Sequence, residues 1–126
     1  MLDAVAGTVT YTNAGHYLPM LVRANGDVER LGEGGPVLGV LAGASYEQSC
    51  TPIGTGDRLV LFTDGITEAR NGDDDEFGES RLQDAIVQHR DCSAPALQAR
   101  IAEAVSAFAG GPLQDDATLI VLAADF

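Results

Sequence analysis

The chain is 126 residues long, carries a formal charge of −12 and contains no lysine. That length allows one domain at most. Seven basic against 19 acidic side chains repel phosphate backbones and anionic headgroups, which argues against nucleic acid and membrane as partners. No apolar run approaches membrane-spanning length, and no basic segment leads into an apolar core at the start, so a cytoplasmic protein is expected. Cys50 and Cys92 are then expected as free thiols.

In chain order, Val9 and Tyr11 alternate with threonines and predict a strand. A second strand is predicted over Pro19–Ala24, with the proline at its start. Asn25-Gly26 is a strong hairpin signal that returns "DVERL" as a third strand, and the three together read as an antiparallel meander. "GEGGPVLGVLAGAS" reads as a loop. Gly34 and Gly39 have the spacing of a phosphate-binding loop, but Val40 stands where lysine is required and Pro36 interrupts. Gly56-Asp57 turns into a strand over Leu59–Thr63.

"NGDDDEFGES" is an acidic loop. Counted from Asp73 as a calcium loop, it has Asp75 and Gly78 in place but Phe77 at the fifth position and Asp84 at the twelfth, so a solvated charge run is the better reading. Leu82, Ala85, Ile86 and His89 then recur at helical spacing. A second helix is predicted from an N-cap at Ser93, with Pro95 in its first turn and Leu97, Ile101, Val105 and Phe108 as its apolar stripe. Gly110-Gly111-Pro112 ends it. The last strand is predicted over Ala117–Ala123. The fold class is α+β.

Two features mirror each other. One strand runs into Asp64-Gly65, and another starts just after Asp115-Asp116. Asp-Gly is either ordinary turn chemistry or a carboxylate held on a rigid strand beside a residue that lets something approach the backbone closely. If the two strands are antiparallel neighbours, the carboxylates converge, and clustered like charges call for a cation. All the candidate donors are oxygens, which selects magnesium or manganese over zinc. The metal-site residues on this reading are Asp64, Gly65, Asp115 and Asp116. His16 in "NAGH" either orients a phosphate or forms a local ring hydrogen bond, with Asn13 and Gly15 making a bend.

Several segments occur in the order and spacing found in SpoIIE-like serine phosphatases: "TYTNAGHYLPMLVR", "GGPVLGV", "GDRLVLFTDGITEAR", "FGESRL" and "DDATLIVL". The chain resembles that branch of the metal-dependent type-2C phosphatases over nearly its whole length. The resemblance implies an αββα sandwich of antiparallel sheets with two C-terminal helices and a centre of two manganese or magnesium ions. It implies that Asp64 and Asp115 are ligands of one metal and catalytic through it. Asp116 would be an alternative or outer ligand, and Thr118, Asn13 and His16 supporting residues. The chemistry implied is attack of a metal-activated water on a phosphoserine, with no covalent phosphoenzyme. The implied substrate is an anti-anti-sigma-factor-like phosphoprotein.

The chain lacks the family's earlier aspartate and Gly-His-Gly motif, whose aspartate bridges both metals. Asp3 is a poor replacement. Residues 1–126 are therefore expected to be the C-terminal part of a phosphatase domain, weakly active or inactive alone and self-associating through uncovered sheet edges. The competing reading is a non-catalytic interaction or dimerisation domain derived from the same fold.

Overall fold

Alternation along two strands sets the layers. In β3 (Met20–Val22) and β6 (Arg58–Phe62), Met20, Val22, Val60 and Phe62 point to one side and Leu21 and Leu59 to the other. A strand with both faces apolar is one covered on both faces. The computed structural model describes residues 1–114 and 116–126 and shows what covers each.

β3 and β6 are the inner strands of a four-stranded antiparallel sheet. The order is β4 (Val28–Arg30), β3, β6 and β7 (Leu119–Ala123). Met20 pairs with Val60, and Val60 with Val121. A second antiparallel sheet contains β1 (Leu2–Asp3), β2 (Thr8–Tyr11) and β5 (Ser49–Pro52), with β2 central. Val9, Leu21, Leu31, Ile53 and Leu59 pack between the sheets. On the other face lie the short α1 (Asp64–Thr67), α2 (Gly78–Gln88) and α3 (Ala94–Ala109). The α+β expectation and its two C-terminal helices are borne out. The layers are sheet, sheet and helices.

The helices form where sequence chemistry asks for them. Ser93 Oγ accepts from the Ala96 N–H, and Gly110 closes α3 in the left-handed conformation. Leu97, Ile101 and Val105 are fully buried along one stripe, each worth about 1.5–3 kcal/mol of apolar transfer. Phe77 and Phe108 meet edge to face at 5.5 Å, with the Arg81 guanidinium 4.6 Å above the Phe108 ring.

The strand expectations are met in part. The first three strands are not a meander, because β2 pairs with β1 and β5 and lies in the other sheet from β3 and β4. Alternation shows that a strand has a buried face but not which partner covers it. The hairpin expected at Asn25-Gly26 is present between β3 and β4; its loop holds three residues, since the Arg23 N–H donates to the Asp27 carbonyl, and Gly26 takes the positive φ of 95° that this loop needs. β5 was not anticipated, because "SCTP" carries no strong alternation. The strands predicted over 19–24 and 117–123 are shorter than their apolar patterns, and the one predicted over 59–63 starts and ends one residue earlier.

At the start of β6 an ion network ties the sheets together. Arg23 donates to Asp57 at 2.9 Å, to Glu29 at 2.7 Å and to the Pro52 carbonyl of the other sheet. Asp57 also accepts from the Gly54 and Ala24 N–H groups, both at 3.0 Å. Burial alone would raise the Asp57 carboxyl, but these donors outweigh it and hold the group below the usual carboxylate range. Arg58, also buried, donates from Nε and one terminal nitrogen to the Cys92 carbonyl, fixing the turn between α2 and α3.

Candidate metal centre

The far end of β6 carries the candidate site. The ladder between β6 and β7 ends with Phe62 opposite Leu119. Contact continues one step further, where the Thr63 N–H donates to the Thr118 carbonyl at 3.1 Å. Thr63 Oγ1 donates to the Asp116 carbonyl at 2.8 Å and accepts from the Thr118 N–H at 2.9 Å. The tip of one strand thus lies against the start of the other, as antiparallel pairing requires.

Asp64-Gly65 is not a hairpin turn. Asp64 opens α1, and its carbonyl accepts from the Glu68 N–H at 2.7 Å. What comes close to Gly65 is the backbone of the facing strand. A Cβ there would sit 2.7 Å from both the Ala117 nitrogen and the Asp116 carbonyl carbon. The glycine is a packing requirement of the juxtaposition.

Asp64 and Asp116 are both exposed, and among the described residues neither carboxylate takes part in a hydrogen bond or salt bridge. Asp115, the other acidic residue expected here, lies outside the described residues. No three acidic, histidine or cysteine side chains among the described residues gather into a metal-holding cluster. The described part of the site is two carboxylates on abutting backbones, whose donors are oxygens suited to a hard divalent cation. Thr118 contributes through its main chain, and its neighbour Leu119 is anchored by Gln98 Nε2 at 2.9 Å. Ile66, Gln98 and Leu113 line a cleft of about 460 Å³ behind this segment.

Asn13 and His16 form a separate turn. Asn13 Oδ1 accepts from the Gly15 and His16 N–H groups, and its Nδ2 donates to the His16 carbonyl. His16 is exposed, with Nδ1 2.8 Å from the Tyr17 carbonyl. The following glycines serve this turn as well. Gly34 lies so close that a Cβ would overlap the Asn13 carbonyl, and the Gly35 N–H donates to that carbonyl. Both Asn13 and His16 border an apolar cavity of about 600 Å³ between the sheets, lined also by Val9, Leu31 and Leu61.

Two residues near Asp64 escaped the sequence reading. Tyr17 packs on Phe62 with ring centroids 5.8 Å apart. Partial burial, with the Glu68 and Asp64 carboxylates nearby, raises its phenol above the ordinary value. Only its place beside His16 in "NAGHY" could have pointed to it. Thr63 is the other, and threonine ahead of Asp-Gly carries no warning of a side-chain contact some fifty residues away.

The acidic loop is more ordered than a plain solvated run. Arg70 pairs with Asp74 at 3.1 Å and Glu76 at 2.8 Å, and Asn71 Oδ1 accepts from the Asp73 and Asp75 N–H groups. Cys50 and Cys92 are free. No helix among the described residues is long and apolar enough to cross a membrane.

Comparison with known proteins gives the family. The family described as Stage II sporulation protein E (SpoIIE) matches residues 1–125. Phosphoserine phosphatase RsbU of Bacillus subtilis is 33% identical over 117 residues, covering 90% of this chain and 34% of RsbU. Protein IcfG of Synechocystis sp. is 27% identical over 122 residues, 97% of this chain and 19% of IcfG. The manganese-presoaked phosphatase domain of SpoIIE from Bacillus subtilis superposes with a TM-score of 0.70 at 16% identity, over 99% of this chain and 54% of that one. The chain thus spans about half of that solved phosphatase chain, about a third of RsbU and about a fifth of IcfG. With the match running along nearly every residue, the chain belongs to the SpoIIE family of phosphatases.

Proposed function

We propose that the chain is the C-terminal part of a metal-dependent serine phosphatase domain, with Asp64, Asp115 and Asp116 supplying carboxylates to a manganese or magnesium centre and Gly65 at its edge. The observation that carries this reading is the abutment of Asp64-Gly65 on Asp116-Ala117. A bound divalent ion would lower the pKa of a coordinated water and neutralise phosphoryl oxygens. Of the chain's own residues, Asp64 stands just past the tip of β6, at the start of α1, and Asp116 lies just ahead of β7. Thr118 fixes the start of β7, and Asn13 with His16 shapes a turn joined to the site through Tyr17. The bridging aspartate of the family's earlier motif is not among these residues, so a full dinuclear centre needs a further ligand.

The proposed substrate is a phosphoserine protein of the anti-anti-sigma-factor type in a bacterial, cytoplasmic signalling circuit. The RsbU likeness supports the phosphoserine part. Titrating the chain with Mn²⁺ by calorimetry tests the site. Binding by the parent that Asp64→Asn abolishes is the expected outcome, and a parent chain that binds no Mn²⁺ refutes it. The second reading, an interaction or dimerisation domain, is favoured by one observation. Val37, Leu38, Val40 and Leu41 are each more than half exposed in one loop.

A further inference from the structure

We propose that Thr63 is a positioning residue of the metal centre, its hydroxyl clasping the start of β7 to the tip of β6 so that Asp64 and the acidic pair stay within reach of one ion. This rests on the metal-site reading above. Thr63 occupies the N-cap of α1, where a threonine hydroxyl ordinarily accepts from the helix's own first N–H groups. Here it makes no such cap bond. The hydroxyl reaches across instead, donating to the Asp116 carbonyl at 2.8 Å and accepting from the Thr118 N–H at 2.9 Å. One oxygen therefore spans both sides of Ala117, immediately beside the acidic pair.

This use of the hydroxyl leaves α1 uncapped, which is a local loss. The ladder does not need the clasp, because the main-chain bond from the Thr63 N–H to the Thr118 carbonyl already joins the strands. What the hydroxyl adds is a fixed height of the Asp116 peptide relative to Asp64. Like charges on the two segments repel each other when no cation lies between them, and the clasp opposes that repulsion. Gly65 completes the arrangement by letting the backbones close to contact. Groups that hold metal ligands in place without touching the metal typically change affinity by about 10- to 100-fold when removed.

The test compares the parent with Thr63→Val and Thr63→Ser. Valine keeps the β-branched shape and the main-chain bond but has no hydroxyl, whereas serine keeps the hydroxyl. Mn²⁺ calorimetry is expected to show about 10- to 100-fold weaker binding for T63V and near-parent binding for T63S. A purely structural threonine would lower the melting temperature of T63V and leave its Mn²⁺ affinity alone, and that result overturns the proposal. Should T63V fail to fold, amide exchange of Thr118 decides. Protection in the parent and in T63S is expected, and exchange at the unstructured rate in the parent is contrary. No Mn²⁺ binding by the parent overturns the metal-site reading and this inference together. Parent binding that T63V retains overturns this inference alone.

Discussion

Replacing Gly65 by alanine probes the contact on which the site is built. The added Cβ would lie 2.7 Å from the Ala117 nitrogen and the Asp116 carbonyl carbon, and 2.8 Å from the Asp116 oxygen. Ordinary contact begins near 3.4 Å, so the strands must part by about 0.7 Å. All three obstructing atoms are backbone, so no side-chain rotation relieves the clash. A shift of that size takes the Thr63 hydroxyl bonds to the limit of hydrogen-bond range. Overpacking of this kind costs about 1–3 kcal/mol. Against it stands the helix preference of alanine over glycine, at most about 1 kcal/mol and less in a helix as short as α1. Overpacking wins, and the melting temperature should fall by about 5 °C. Gly54→Ala is the control, since a Cβ there meets nothing within 4 Å and its φ is not positive. That substitution should be neutral or stabilise by up to about 1 kcal/mol. Thermal unfolding followed by circular dichroism compares the two, and a G65A protein as stable as its parent refutes the contact.

The Asp57 network predicts an acid sensitivity. A carboxyl held below its unfolded pKa contributes stability above the unfolded value, near 3.9, and that contribution is lost as pH falls through the lower folded value. Asp57→Asn should cost about 1–3 kcal/mol at pH 7 and flatten the fall in stability below about pH 4, as read from urea midpoints against pH. An unchanged acid limb would show that the network is not its source. The open edges of both sheets predict self-association. The sedimentation coefficient should rise with concentration, and Ile120→Lys on β7, where Ile120 is 55% exposed, should reduce the rise. A single monomeric species at all concentrations counts against it.

Local chemistry was legible in the sequence. Ser93 and Gly110 bracket α3, and Leu97, Ile101 and Val105 mark its buried stripe, because caps and helical periodicity depend on residues a few positions apart. The apolar patterns of β6 and β7 were legible for the same reason. Only the tertiary structure decided which strand lies beside which. The exchange of β2 into the second sheet, the pairing of β5 with β2 and the inter-sheet role of Arg23 all depend on contacts between distant segments, which no local pattern encodes. The same holds for the metal-centre candidate. The sequence shows a glycine after an aspartate and a threonine before it, but their work is done against the backbone of residues 116–118, and only folding brings that backbone within reach.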